Sequence, residues 1–256
     1  MPVRRGGYGD VVSSPPVTQA QISAEIAALR EDGPQPRLDY PPYRSSAWRH
    51  PKHDLVLVDP DGAELVAPCF GTSAVDPAEA DLTRSQKGEA IGERIVVAGR
   101  VLNGAGRPVR NQLVEVWQAN SAGRYAHAGD QHPAPLDPNF TGIGRCLTGE
   151  DGSYRFTTIK PGPYPWRNHV NAWRPAHIHF SLFGTEFTQR LVTQLYFPAD
   201  PLHDLDPILC SVVDPKARAR LIADYDHDLT EPEWATGYRW DVVLTGAHAT
   251  PLEGDR

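Results

Sequence analysis

Basic charge is in short supply in this chain. Its 25 Lys and Arg face 32 Asp and Glu, a formal net charge of −7 over 256 residues. A surface of that sign does not attract phosphate backbones, which argues against a nucleic-acid partner. Long apolar runs are missing as well, and none approaches the ~20 residues that a membrane-spanning helix requires. The opening residues, MPVRRGGYGDVVSSPP, hold two arginines but no apolar stretch of the kind a secretory leader carries. Cysteine is scarce, and Cys69, Cys146 and Cys210 are isolated from one another. An odd count without CxxC spacing fits reduced thiols better than a disulfide framework. The cytoplasm is therefore the expected compartment. There is no internal repeat and no HExxH helix.

Proline and glycine, by contrast, are plentiful: 25 and 22 residues. They punctuate the chain often, which favours short strands and loops over long helices. TQAQISAEIAALRED reads as one short helix, with Thr18 and Gln21 in a capping-box pattern and Ile22, Ile26 and Leu29 on one face. Residues 33–54 are proline-rich and aromatic, unable to form a core alone, and are expected to wrap over one. Residues 59–92 read mostly as loop. From Arg94 the pattern turns to strands: RIVVAGRVLN, NQLVEVWQAN, GSYRFTTI, AHIHFSLF, RLVTQLYF and RWDVVLTG. A late helix, DPKARARLIADYD, has Asp214 as N-cap and Pro215 at its first position. Short strands joined by Gly/Pro turns predict a mainly β, antiparallel sandwich with short helices and long wrapping loops. We expect one compact domain, with residues 1–93 as arm, short helix and wrapping segment and residues 94–256 as the sandwich core.

RPAHIHF carries the first sign of chemistry. On a strand, positions i and i+2 share a face, so His177 and His179 project together while Ile178 and Phe180 point to the core. Two neighbouring imidazoles repel if both are protonated, so the arrangement favours neutral rings holding something, a metal ion being the simplest candidate. A pair of satisfied structural histidines is the competing reading, and HxH alone does not decide between them. No cysteine is close in sequence, so further ligands would be carboxylates or phenolates. Tyr164, braced by Pro163 and Pro165, and Tyr125, just past the Trp117 strand, are candidates. Each taken singly also fits an ordinary half-buried tyrosine.

GRY, PLDPNFTGIGRCLTGEDGSYRF, IKPGPYPWRNHVNAWRPAHIHFSLFG and TQLYFPADPL together resemble the intradiol ring-cleaving dioxygenases. The resemblance runs from about Arg94 to the end of the sequence and is nearest to the β chains of the branch that acts on protocatechuate. It implies a β-sandwich fold and a non-haem Fe(III) held by Tyr125, Tyr164, His177 and His179. It places Arg174, Tyr164 and Gln194 among the catalytic groups, and Trp117, Trp166 and Ile208 on the substrate pocket wall. Tyr43 falls on a tyrosine close behind the metal. Two phenolates would offset two charges of a hard ferric ion, and two neutral imidazoles would complete the protein's donor set. The implied reaction cleaves protocatechuate with O2 to 3-carboxy-cis,cis-muconate, in aromatic degradation through the β-ketoadipate pathway. The implied partner is a homologous α chain, forming αβ units in a higher oligomer.

Three other readings stay open at this point. Catechol and hydroxyquinol 1,2-dioxygenases share the ligand pattern, but usually carry a longer helical N-terminal region. VAGRVLNGAGRPVRNQLVEVW also looks like the opening of transthyretin-like and carboxypeptidase-regulatory-like modules, which bind or support without catalysis. A zinc or copper site would need further histidines in register.

Overall fold

The computed structural model describes residues 34–53, 75–84, 86–166, 173–183 and 191–253. The helix expected over residues 18–32 and Cys69 lie outside them. Within the described residues the chain is mainly β, and the strands form two packed sheets plus a two-stranded ribbon.

The first sheet is built on the long strand β1 (Arg94–Leu102). One edge of β1 pairs antiparallel with β4 (Ser153–Ile159). The other edge is shared in succession by β10 (Thr236–Arg239) and β11 (Val242–Val243), both parallel to it. β9 (Asp224–Tyr225) completes this sheet beside β10. These parallel pairs sit within an otherwise antiparallel arrangement. Strand periodicity reports which side chains share a face, not which way the neighbouring strand runs. The single strand expected over RWDVVLTG is broken at Trp240 and Asp241. Trp240 donates its backbone N–H to Ala98 O at 2.9 Å, and its own carbonyl accepts Tyr154 Oη at 2.6 Å.

The second sheet is wholly antiparallel, in the order β3 (Ile143–Leu147), β2 (Leu113–Trp117), β7 (His177–Phe183), β8 (Leu191–Tyr196). Val114, Val116, Ile178, Phe180 and Leu182 face the first sheet and are at most 2% exposed. Across the gap Phe180 meets Phe156 and Trp240, with ring centroids 5.7 and 4.7 Å apart. Truncating a ring buried this deeply costs about 3–5 kcal/mol, because it leaves a cavity as well as losing its transfer energy.

The outer face of β7 is covered too, so the strand is buried on both sides. That covering includes the ribbon β5 (Tyr164–Pro165) and β6 (Trp173–Arg174). It also includes the short helix α2 (Pro207–Ser211); α1 (Ser46–Arg49) precedes it in the chain. The expected late helix is shorter than its sequence pattern. Asp214 caps it as expected, through Lys216 N and Ala217 N, but the helix, α3 (Pro215–Ala219), ends at Ala219. Ile222 then bridges to Tyr196 and Asp224 enters β9, because edge pairing claims the backbone that helix propensity alone would extend.

Residues 34–53 touch the rest of the chain at several points. Tyr43 is 1% exposed, Arg37 donates its backbone N–H to Ser211 O, and the side-chain Oε1 of Gln35 accepts Leu252 N–H.

Candidate metal centre

The register of the second sheet assembles this site. His179 stands directly opposite Trp117 on one neighbour and Gln194 on the other, and His177 stands opposite Tyr196. Directly opposed residues share a face. The HxH pair is therefore flanked on both sides by long polar or aromatic side chains, all on the outer face of the sheet. Trp117 stacks on the His179 ring, 4.8 Å away and 7° from parallel.

Two loops bring the tyrosines over this face. Tyr125 lies on the turn after β2, which is laced by side chains. Asn120 Oδ1 accepts the N–H groups of Ala122 and Arg124, and Asp130 accepts that of Tyr125 at 2.8 Å. Arg124 donates to the carbonyls of His132 and Ala134. Tyr164 is held by its proline neighbours and by pairing with Arg174 across the β5–β6 ribbon. The two loops approach closely because Gly123 and Gly162 each face the backbone of the other loop. A Cβ on Gly123, which has φ +76°, would strike Pro163 O, and one on Gly162 would strike Ser121 O. The tyrosine rings meet edge to face at 5.4 Å.

The four polar ends converge. Tyr164 Oη is 3.3 Å from His177 Nε2, and Tyr125 Oη is 3.2 Å from His179 Nε2. The other ring nitrogens face acceptors: His177 Nδ1 donates to Pro175 O at 2.7 Å, and His179 Nδ1 donates to a Glu253 carboxylate oxygen at 3.1 Å. In a neutral ring with Nδ1 as the donor, Nε2 is left to accept; it faces a tyrosine hydroxyl in each histidine, and in His177 also Arg174 Nη1 at 3.0 Å. Burial, with Arg174 and His179 adding to it, pushes His177 well below the usual imidazole range, so the ring is neutral. Burial and the neighbouring Tyr164 push Tyr125 well above the ordinary phenol value. Ionising that phenol calls for a cation at its oxygen. Among the described residues no group of three or more His, Cys, Asp or Glu is placed to hold a metal. An ion at the two histidines would thus draw its anionic donors from the phenols in contact with them. Each of the two Nε2 atoms thus lies 3.2–3.3 Å from one phenol oxygen, and phenols that ionise can offset the charge of a hard cation.

Arg174 is not a surface ion pair: its side chain is 2% exposed and that of its partner Asp206 fully buried. Nε and Nη2 grip the two carboxylate oxygens at 3.0 and 2.9 Å. Nη2 also donates to Gln194 Oε1 at 2.6 Å and Tyr196 Oη at 2.9 Å. That leaves Nη1 pointing at the donor ring, 3.0 Å from His177 Nε2 and 3.3 Å from Tyr164 Oη. Burial opposes the charge on both partners, yet each offsets it for the other. Arg174 stays well above its ordinary value and Asp206 below its own.

Tyr164 and Tyr125 open onto a cleft of about 540 Å3, lined also by Pro165, Trp166 and residues 129–133. Trp166 is both a wall of this cleft and the ring over which Arg174 Cζ lies at 5.3 Å. Trp117, Ile208 and Tyr43 are not among the lining residues. Trp117 backs His179, and Tyr43 backs Trp166 at 5.2 Å. Ile208 is buried on α2, whose N-cap is Asp206. Sequence reading passed over Asp206, Tyr196 and Glu253. The Asp-Pro start of α2 marks Asp206 as a cap, and Tyr196 follows from β8 alternation with Gln194. Nothing local marks Glu253.

Comparison with known proteins decides the family. A family model described as "Dioxygenase" matches residues 65–246, and one described as "Protocatechuate 3,4-dioxygenase beta subunit N terminal" matches residues 29–61. The protocatechuate 3,4-dioxygenase beta chain of Burkholderia cepacia is 53% identical over 233 residues, 90% of this chain and 99% of that one. The chain belongs to the intradiol ring-cleaving dioxygenases. It is an enzyme of that family, as the sequence resemblance implied. The dioxygenase is also 33% identical to the protocatechuate 3,4-dioxygenase alpha chain of Pseudomonas putida, over 65% of this chain and 79% of that one. In fold it is similar to 3-chlorocatechol 1,2-dioxygenase from Rhodococcus opacus 1CP, with a TM-score of 0.50 and 24% identity over 64% of this chain and 63% of that one. Among the described residues no helix of the dioxygenase is long and apolar enough to cross a membrane.

Proposed function

We propose that this chain is the metal-bearing β chain of a protocatechuate 3,4-dioxygenase, with Fe(III) held by Tyr125, Tyr164, His177 and His179. The observation that carries the reading is the convergence of two phenol oxygens on two lone-pair-bearing Nε2 atoms within 3.3 Å. A ferric ion bound there supplies Lewis acidity toward both oxygens of a catechol and a redox centre for its reaction with O2. The match of residues 29–61 to the beta-subunit N-terminal model supports protocatechuate over catechol or hydroxyquinol.

The chain's own groups then divide the work. Tyr164, which lines the cleft and accepts from Arg174 Nη1, takes a catechol proton on its phenolate oxygen. Tyr125, which has no contact with Arg174 like that of Tyr164, stays a ligand. Arg174 presents a fixed cation to the charge that grows on the ring, and its carboxylate, amide and phenol partners hold it without reorganisation at the moment of reaction. Gln194 positions that guanidinium. Trp166 walls the ring of the substrate, while Trp117, Ile208 and Tyr43 shape the pocket from behind. The product is 3-carboxy-cis,cis-muconate, within the β-ketoadipate pathway and in the cytoplasm.

We propose further that residues 1–93 wrap a single catalytic unit formed by residues 94–256, and that a homologous α chain docks beside it. Trp48, 84% exposed within the 34–53 wrap, offers such a chain an apolar contact.

The test is the full chain co-expressed with its α-type neighbour. We expect stoichiometric iron, a red-brown colour from phenolate-to-Fe(III) charge transfer, and one O2 consumed per protocatechuate. Colourless protein with full iron, or failure to consume protocatechuate while catechol is turned over, overturns the corresponding part.

A further inference from the structure

We infer that Glu253 is a positioning residue that makes His179 the stronger donor of the two imidazoles and sets the charge of the metal site without touching the ion. The inference rests on the iron site proposed above.

The histidines look equivalent in sequence and are not so in structure. His177 gives its Nδ1–H to a neutral carbonyl, Pro175 O, at 2.7 Å. His179 gives its own to the Glu253 carboxylate at 3.1 Å. An imidazole backed by a carboxylate carries more electron density on its far nitrogen and is held in one tautomer and orientation. On the His177 side the nearest charge has the opposite sign, with Arg174 Nη1 3.0 Å from Nε2. One ring is thus enriched and the other depleted.

The charge count gives Glu253 its leverage. Asp206 already balances Arg174. The two phenolates offset two of the three charges of a ferric ion. Glu253 is a further negative charge within one imidazole of the metal. Its side chain is 8% exposed and that of His179 is 10% exposed, so water does little to screen it.

The chain delivers this carboxylate with care. The segment of residues 250–253 is tied on several sides. Glu253 N donates to Val192 O at 2.8 Å and Thr193 Oγ1 to Pro251 O at 2.7 Å. Val243 N donates to Thr250 Oγ1 at 2.9 Å, and Leu252 N donates to Gln35 Oε1 at 2.8 Å. A carboxylate anchored at β8, at β11 and at the wrapping segment 34–53 is placed, not merely present.

The experiment uses the iron-loaded full chain with its α-type neighbour. Glu253→Gln keeps shape and hydrogen bonding and deletes the charge. We expect the reduction potential to move positive and the charge-transfer band to move to longer wavelength. Iron retention against a chelator should fall about 10- to 100-fold, the scale for losing a group behind a metal-bound histidine. Unchanged potential and band in folded, coloured Gln protein overturn the inference, whatever happens to its thermal midpoint. Should that variant not fold, Glu253→Asp withdraws the charge by one methylene and shifts the band the same way by less. An unchanged band there also overturns it. A colourless wild-type chain would instead sink the iron site itself, so the two failures are distinguishable.

Discussion

Arg174→Ala should do two separable things. Removing the guanidinium would take away the cation proposed to face the substrate ring, and a loss of roughly 3 kcal/mol, about a hundredfold, is the scale for one such donor. It also strands Asp206, fully buried, without its partner. Stranding a buried charge costs about 3–5 kcal/mol, so we expect a lower unfolding midpoint beside the slower oxygen-dependent step. Stopped-flow mixing of anaerobic complex with O2 reads the first effect and thermal melting the second. Normal values for both would make Arg174 dispensable. The tyrosines divide differently. Tyr164→Phe should keep iron and slow substrate deprotonation, whereas Tyr125→Phe should weaken iron binding and change the resting spectrum more. Identical behaviour in anaerobic titration would refute the division of roles. The HxH pair was legible because its period of two survives in the sequence. The Asp206 grip spans 32 residues and Glu253 reaches His179 across 74, distances over which no local pattern speaks.

Elements show a similar split. β2, β4, β7 and β8 follow from alternation and turn residues, and His179 gains Trp117 and Gln194 as flanks once the register is set. β3 escaped notice. It begins at Ile143, 64% exposed, and contains Gly144 and Arg145, a poor strand signature. Its glycine has a packing reason, since a Cβ there would meet Leu82, while Glu79 and Arg145 clasp beside it at 2.6 and 2.7 Å. The junction between β10 and β11 offers the sharpest test at this scale. A Cβ on Gly99 would overlap the Trp240 carbonyl, so Gly99→Ala should cost about 1–3 kcal/mol or more by overpacking. Tyr154→Phe leaves that buried carbonyl without its donor, for about 1–3 kcal/mol. Urea midpoints measure both. If Gly99→Ala is neutral, the close approach of the broken strand is wrong.

The whole molecule should respond to acid through its buried carboxylates. Asp206 has a folded pKa below its unfolded value of about 3.9. Its contribution is therefore fully present above about pH 4 and lost as pH falls through the lower folded value. Denaturant titrations from pH 5 to 2 should show stability falling over that window, with a shallower fall in Asp206→Asn. Parallel curves for the two proteins would contradict the assignment. The Cys146 thiol should be quiet at neutral pH: burial pushes it up to about 12. Alkylation followed by mass spectrometry should label Cys146 only after unfolding.

β1 pairs along one edge with strands that lie far along the chain; Arg100 N meets Asp241 Oδ1 across 141 residues. On a ribosome adding ~5–20 residues per second, that edge waits roughly 7–28 s for its neighbour to be synthesised. Throughout that time a nine-residue strand with Ile95, Val96, Val97 and Val101 offers unpaired N–H and C=O groups to any other nascent chain. Yield of soluble protein should therefore depend on translation speed and on chaperones that shield strand edges, independently of iron supply.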